Sequence, residues 1–358
     1  MNVHSSEYIE IELAAREPKP FFPHYPSEYE AEIKEFTSTT GEPWKWWGHT
    51  HTPPPKHGTP PKYVGRFYLP KKQVEAKVWV PCPCCWPNHR KFGRKGGLIA
   101  WFPDEKVIRL IGPECYAALN QEGHDVAIAD LKRREKEKSE LDYILRCLGR
   151  LPEWLAAINQ MVLIAYQADQ FFPMISSRIH DSLRIKLWRH IRNGTLSVTE
   201  EIAGIRVGRD GEPEEYTERL STPLFQLEGA KALNPERKLI TPTLEEMRIA
   251  LKKLSHFTEE TVRTRPAQER LAISKELRRI LRCVQTMQER LRDEMRLLGQ
   301  VNINRLRQWA TDPRGPVDFE IERKDGELSM RGRKEYNGIP IPEELRTNYL
   351  PTVDLPLE

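Results

Sequence analysis

The chain has no run of about 18 apolar residues, so its pattern offers no membrane-spanning helix. Its first residues, MNVHSSEYIEIELAAREP, carry acids where a secretory leader needs bases and an apolar stretch, and export by that route is not expected. Six cysteines in 358 residues are too few for a disulfide framework. The expected compartment is therefore reducing, cytoplasmic or nucleoid-associated. There is no Walker loop, dinucleotide fingerprint, HExxH or nucleophile elbow, and the balance favours a non-enzymatic protein. No internal repeat or low-complexity tract stands out. Hydrophobic residues, at 39%, still suffice to bury a core and argue against full disorder.

What is present is unevenly distributed. Residues 1–40 hold 8 glutamates against 3 cations, whereas residues 45–95 hold 11 cations against the single acid Glu75. Residues 243–310 are again basic, with 15 cations against 9 acids. The 29 prolines crowd the first ninety residues and the tail. Proline lacks an amide proton and clashes with the preceding turn, so PFFPHYP, HTPPPKHGTPPK and VPCPCCWP read as extended or polyproline-like loops.

Hydrophobic spacing sets the expected elements. Ile9, Ile11 and Leu13 alternate with glutamates, and Val74, Ala76, Val78 and Val80 alternate with polar residues or Trp79; both read as strands. Leu98–Phe102 and Val107–Ile111 flank a turn and read as a hairpin. From about residue 114 the period becomes helical. Leu141, Leu145, Leu148, Leu151, Leu155, Ile158, Val162 and Ala165 form one stripe, with Pro152 and Pro173 as breaks, and a helix is expected over Met174–Ile191. Ser197–Glu200 and Thr243–Glu246 resemble capping boxes. After Pro266 a second stripe runs through Ile273, Leu277, Ile280, Val284, Met287, Leu291, Met295 and Leu298, in a helical segment of about 44 residues. Phe319–Lys324 and Leu328–Arg331 read as a hairpin about Asp325-Gly326.

The expected class is α+β: a Pro-rich β head with a zinc knuckle and a β-hairpin, then long helices forming an antiparallel or oligomeric coiled-coil-like arm. The expected segments are an acidic extended arm (1–44), a basic zinc-finger-like domain (45–125), a helical region (126–193), a mixed insertion (194–242), a long helical region (243–311) and a C-terminal hairpin with tail (312–358).

The sharpest chemistry lies in Val80-Pro-Cys82-Pro-Cys84-Cys85-Trp-Pro-Asn-His89 and in Cys115. Cys82-x2-Cys85 is the spacing at which two thiolates reach one tetrahedral ion from a tight turn. His89 follows closely, and a hairpin would return Cys115 at the start of a helix, whose positive end favours a thiolate. The order of knuckle, hairpin and helix over residues 80–122 resembles treble-clef or zinc-ribbon zinc fingers. That resemblance implies a structural Zn2+ held by Cys82, Cys85, Cys115 and a fourth ligand, His89, Cys84 or His124. Cys147 and Cys283 read as ordinary core residues.

The basic segment interleaves cations with aromatics, a pattern suited to phosphate contact and base stacking. The candidate nucleic-acid residues are Lys45, Trp46, Trp47, Arg90, Lys91, Arg94 and Lys95, while Tyr63, Phe67 and Trp79 are expected to pack inward. Arg178, His180, Arg184, Lys186, Arg189, His190 and Arg192 give a second basic surface, read as a solvated helix flank. His49, His51 and His57 read as an exposed cluster. Asp318, Glu322 and Lys324, with Glu320, share a strand face and offer a weak metal-dependent nuclease reading. The favoured function is non-enzymatic nucleic-acid binding within an assembly, with the helical stripes recruiting a protein partner or another copy. A scaffold or particle-assembly protein comes second and the nuclease third.

Overall fold

Residues 97–111 show how this chain makes its first core. Leu98–Phe102 and, apart from Arg109, Val107–Ile111 are apolar without alternation because both faces of their strands are covered, and every one of these residues is buried. The structure, a computed structural model, describes residues 11–85, 96–207, 209, 212–331, 338–347 and 349–354, with the backbone of 90–92. The chain divides into two units, residues 1–139 and 140–358.

In the first unit the elements are α1 (Glu30–Thr40), β1 (Lys62–Phe67), α2 (Lys71–Glu75), β2 (Val80–Pro81), β3 (Arg90–Phe92), β4 (Gly97–Phe102), β5 (Val107–Ile111), α3 (Pro113–Ala117) and α4 (Gln121–Leu148), with the unit boundary inside α4. A three-stranded antiparallel sheet has the order β1-β4-β5, and β2 pairs with β3. The expected hairpin is β4–β5, closing at Phe102↔Val107. Its core holds Ile33, Trp46, Tyr63, Phe67, Phe102 and Tyr116. Among the described residues of this unit one cation, Arg109, is fully buried on β5, where Glu105 takes its guanidinium at 2.7 and 2.9 Å and Thr52 accepts two more hydrogen bonds.

Two expected strands do not form as read among the described residues, and of the second only Val80 lies in a strand, β2. Leu13 opens a 3-10 turn, Leu13–Arg16, and Ile9 lies outside the described residues. Val74 sits in α2, which Pro70 starts, and Lys77 at φ 55° reverses the chain before β2. The acidic arm is not fully extended either: α1 forms there and stops at Gly41, whose φ of 68° suits a residue without Cβ.

The second unit comprises α5 (Leu151–Ser177), α6 (Asp181–Ile191), β6 (Thr195–Val207), β7 (Pro213–Gln226), α7 (Thr241–Leu254), α8 (Glu259–Thr264), α9 (Ala267–Leu297), α10 (Gln300–Thr311), β8 (Glu320–Lys324), β9 (Glu327–Arg331), β10 (Ile339–Pro340) and α11 (Glu343–Arg346). Its antiparallel sheets are β10-β9-β8 and the β6–β7 ribbon. The hairpin at Asp325-Gly326 forms as expected, with both turn residues at positive φ. No helix among the described residues is long and apolar enough to cross a membrane.

Helix α9 packs on α5 and α7 and uses its stripe inside the chain: Ile273, Leu277, Ile280, Val284, Leu291, Met295 and Leu298 are all buried in the core of the unit. It is shorter than the expected segment because Gly299 separates it from α10. The first stripe is broken at Gly149 and Arg150, and the residues facing the core in α5 are Leu151, Trp154, Ile158, Met161, Ala165, Ala168, Phe172 and Ile175. Leu155 and Val162 are only partly buried. Pro173 is carried within α5, and the helix expected from Met174 starts instead at Asp181, behind a His180 cap. Ser197 lies in β6, so the first capping box does not form.

The second box is also replaced, and its replacement organises the unit. Helix α7 has no side-chain cap of its own. Instead Asp169 of α5 accepts from the Ile240 and Thr241 amides at 2.9 and 2.8 Å. Arg237 donates to Asp169 at 2.7 Å and to Glu294 of α9 at 2.7 Å, and these three side chains are at most 4% exposed. Breaking a buried charge pair by removing one partner costs about 3–5 kcal/mol, against about 0–1 kcal/mol for an exposed pair. Urea unfolding of Asp169→Ala and Arg237→Ala should show the larger loss, and Asp181→Ala, in the exposed pair with Arg184, the smaller. Equal losses would contradict the assignment.

Candidate metal centre

The chain enters the site from β2, turns through Pro83–Cys85 as one 3-10 turn, and later returns along β5 into α3. Prolines at 81 and 83 limit the backbone around Cys82, and the Cys85 amide closes the turn on the Cys82 carbonyl at 3.0 Å. Pro113 occupies the first turn of α3 and sets Cys115 two residues on, its amide bonded to the Gly112 carbonyl at 3.1 Å. Gly112 thereby faces the knuckle, and its amide donates to Cys82 Sγ at 3.3 Å.

The result is that Cys82, Cys85 and Cys115 bring their Sγ atoms within 4.8 Å of one another. A tetrahedral Zn2+ with bonds of about 2.3 Å separates its sulfurs by roughly 3.8 Å, so small side-chain adjustments would close this set on an ion. Cys82 is buried, and Cys85 is half-buried. As thiols the group resists ionisation: burial raises Cys82, and hydrogen bonds to Cys82 and Cys85 raise Cys115. A divalent cation is the partner that reverses this, because it offsets the charge of the thiolates. The cluster can hold a metal ion.

The other proposed ligands are placed differently. Cys84 hydrogen-bonds Cys82 but does not join the three-sulfur group. His124 is engaged through Nδ1 with the Tyr63 hydroxyl at 2.8 Å. His89 lies outside the described residues. Cys147 is buried in the second core and Cys283 packs against it, as expected.

The nucleic-acid candidates divide. Trp46 is 1% exposed, stacks on Phe22 at 6.0 Å and donates its indole proton to Glu32 at 2.9 Å, so it cannot stack on a base. Trp47 is 50% exposed, although its indole nitrogen bonds the same carboxylate at 2.8 Å. Lys45 is exposed and pairs with Glu42 at 2.9 Å. The side chains of Arg90 and Lys91, and all of Arg94 and Lys95, lie outside the described residues. Tyr63 and Phe67 pack inward as expected, and Trp79 is half-buried. The candidate set omitted Lys62, Lys71, Lys72 and Lys77, which are exposed and have no ion-pair partner among the described residues. Their signal was present in the charge of the segment, but not which cations stay unpaired.

On the second unit, Asp318, Glu320, Glu322 and Lys324 are all exposed, opposite the buried Phe319 and Ile321. No group of three potential metal ligands forms there among the described residues. Comparison of the chain with models of protein families, with curated proteins and with solved structures finds no match.

The histidines correct another expectation. His57 is exposed, but His49 and His51 are fully buried. The Thr50 amide bonds the Ile108 carbonyl at 2.9 Å and draws this segment onto β5. The Leu110 amide donates to His49 Nδ1 at 3.1 Å, which leaves His49 Nε2 to donate to His51 Nδ1 at 2.9 Å. Burial first, and then Arg16, lowers the His51 pKa to about 4. The unfolded residue titrates near 6.5, so the stabilisation from keeping it neutral is complete above that pH and is lost on descent to about 4, amounting to about 3 kcal/mol. Urea unfolding from pH 7 to 4.5 should show this loss, with a shallower pH slope in His51→Gln; parallel slopes would refute it.

Proposed function

We propose that the first unit is a zinc-stabilised nucleic-acid-binding module of a protein that works within an assembly. The observation that carries this reading is the convergence of Cys115 on Cys82 and Cys85, which themselves lie in the basic segment 45–95, where Glu75 is the single acid. The Gly112 amide on Cys82 Sγ adds to it, since such a bond favours thiolate. The ion is structural: it ties β2, the knuckle and the start of α3 together, and a filled fourth position leaves no site for substrate. With His124 held by Tyr63 and Cys84 outside the group, the fourth ligand in this reading is His89.

Lys62, Lys71, Lys72 and Lys77 supply the phosphate contacts in this reading, together with Arg90, Lys91, Arg94 and Lys95 of the loop that the metal would anchor. The exposed charge of Lys62, Lys71, Lys72 and Lys77, without an ion-pair partner among the described residues, is what supports the role, because such cations retain their full attraction for a polyanion. Of the two candidate tryptophans, Trp47 is the one exposed for stacking. A scaffold role is the second reading, and the long exposed β6–β7 ribbon favours it.

Metal analysis should find about one zinc per chain, absent from Cys82→Ser and Cys115→Ser, with chelation lowering the stability of the first unit. Binding to single- and double-stranded DNA and RNA should weaken steeply with salt. Lys71→Glu/Lys72→Glu should reduce the salt slope by about one unit for each phosphate that is no longer engaged. No binding at low salt would discard nucleic acid as the ligand and leave the scaffold reading. Metal-free protein with unchanged stability would discard the zinc.

A further inference from the structure

Among the described residues, the β6–β7 ribbon is anchored only at its base. Leu196 and Val198 are buried, the Trp309 indole donates to the Ser197 carbonyl at 2.8 Å, and Arg305 donates to the Gln226 carbonyl at 2.8 Å. Arg314 reaches Glu200, which marks the last of these attachments. From Glu201↔Arg219 to Val207↔Pro213 the strands continue in register, and no residue of this outer part is buried. Seven residues per strand project the arm by about 23 Å.

A two-stranded ribbon alone in water is marginal. This one also displays apolar side chains. Ala203, Ile205 and Val207 share one face, with Ile205 73% and Val207 78% exposed. Between Glu200 and Leu220 the sequence holds seven acids and three arginines. Arg206 and Arg219 are taken by Glu214 and Glu201, whereas Glu212 and Glu215 have no cation among the described residues. Glu215 stands directly across from Ile205.

The complementary surface is on the same unit. On α6, Ile185 is 50% exposed, and Arg189 and Arg192 follow it four and seven positions on, along one stripe. Both arginines are exposed and without an acidic partner among the described residues. Ile205 and Val207 of the outer arm and Ile185, Arg189 and Arg192 of this face are all exposed, so the arm does not cover the face within its own chain.

We infer that the outer β6–β7 ribbon of one copy docks on the α6 face of a second copy, Ile205 and Val207 against Ile185, and Glu212 and Glu215 against Arg189 and Arg192. The occupant is a second copy because both halves of the complementary pair, acidic with apolar and basic with apolar, belong to this chain. The contact joins two different surfaces, so it repeats into a ring or a filament. It is independent of the metal and of nucleic acid.

Sedimentation of the full chain without nucleic acid tests this, using two variants: Glu212→Lys/Glu215→Lys in the arm and Arg189→Glu/Arg192→Glu in the helix. Wild type should associate with rising concentration, and each variant alone should weaken association by about tenfold or more through like-charge contact. An equimolar mixture of the two should recover it, because the reversed arm then meets the reversed helix while the native arm meets the native helix. A misfolded variant cannot produce that recovery. A wild type that stays monomeric through the micromolar range, variants that associate as well as wild type, or a mixture that does not recover would overturn the inference.

Discussion

The Arg237 guanidinium is the interaction on which the second unit depends. It lies between Asp169 of α5 and Glu294 of α9, and the same Asp169 carboxylate receives the first amides of α7. Arg290 brings a second cation to Glu294 at 3.0 Å. Charges this deeply buried cost several kcal/mol to desolvate, and the geometry offsets that cost only because nearly every oxygen has a donor. Hydrophobic burial holds the three helices together without choosing their offset. The ion network chooses it, since sliding any helix by one turn would leave a charge or a helix end unpaired.

The first unit uses polar groups in a comparable way at smaller scale. Glu32 of α1 receives two indole protons, and so fixes Trp46 inside and Trp47 at the surface. Arg109 is satisfied by Glu105 and Thr52 while its cation lies 4.6 Å over the Phe102 ring. These pairings absorb part of the acidity of the N-terminal region without neutralising the basic segment. Lysines 62, 71, 72 and 77 remain exposed in the same unit as a cysteine cluster that can hold an ion. The unit combines a rigid aromatic core with an unpaired cationic surface, which is the physical basis of the function proposed for it.

The elements legible in the sequence were those with local causes. The β4–β5 hairpin and the Asp325-Gly326 hairpin follow from turn residues between apolar runs, and the α9 stripe follows from three-and-four spacing. The Cys82-x2-Cys85 knuckle follows from spacing and proline. The misread elements had competing local signals. Val74–Val80 alternates like a strand, but Pro70 starts a helix and Lys77 reverses the chain. Thr243–Glu246 looks like a capping box, but a carboxylate from α5 already holds the amides ahead of it. His49 and His51 read as exposed because nothing in their Pro-rich neighbourhood shows that β5 will cover them.

The amino-acid sequence by itself determined the α+β composition, the cysteine knuckle, the basic first segment and the α9 stripe, because each rests on residues within a few turns of one another. Tertiary structure decided the third sulfur of the cluster, the burial of Trp46 and the exposure of Trp47. It also decided the use of the α9 stripe inside the chain and the isolation of the β6–β7 arm. Each of these depends on whether residues 14 to more than 100 positions apart come into contact. Such contacts are set by the competition among all buried surfaces at once, and no local pattern records its outcome.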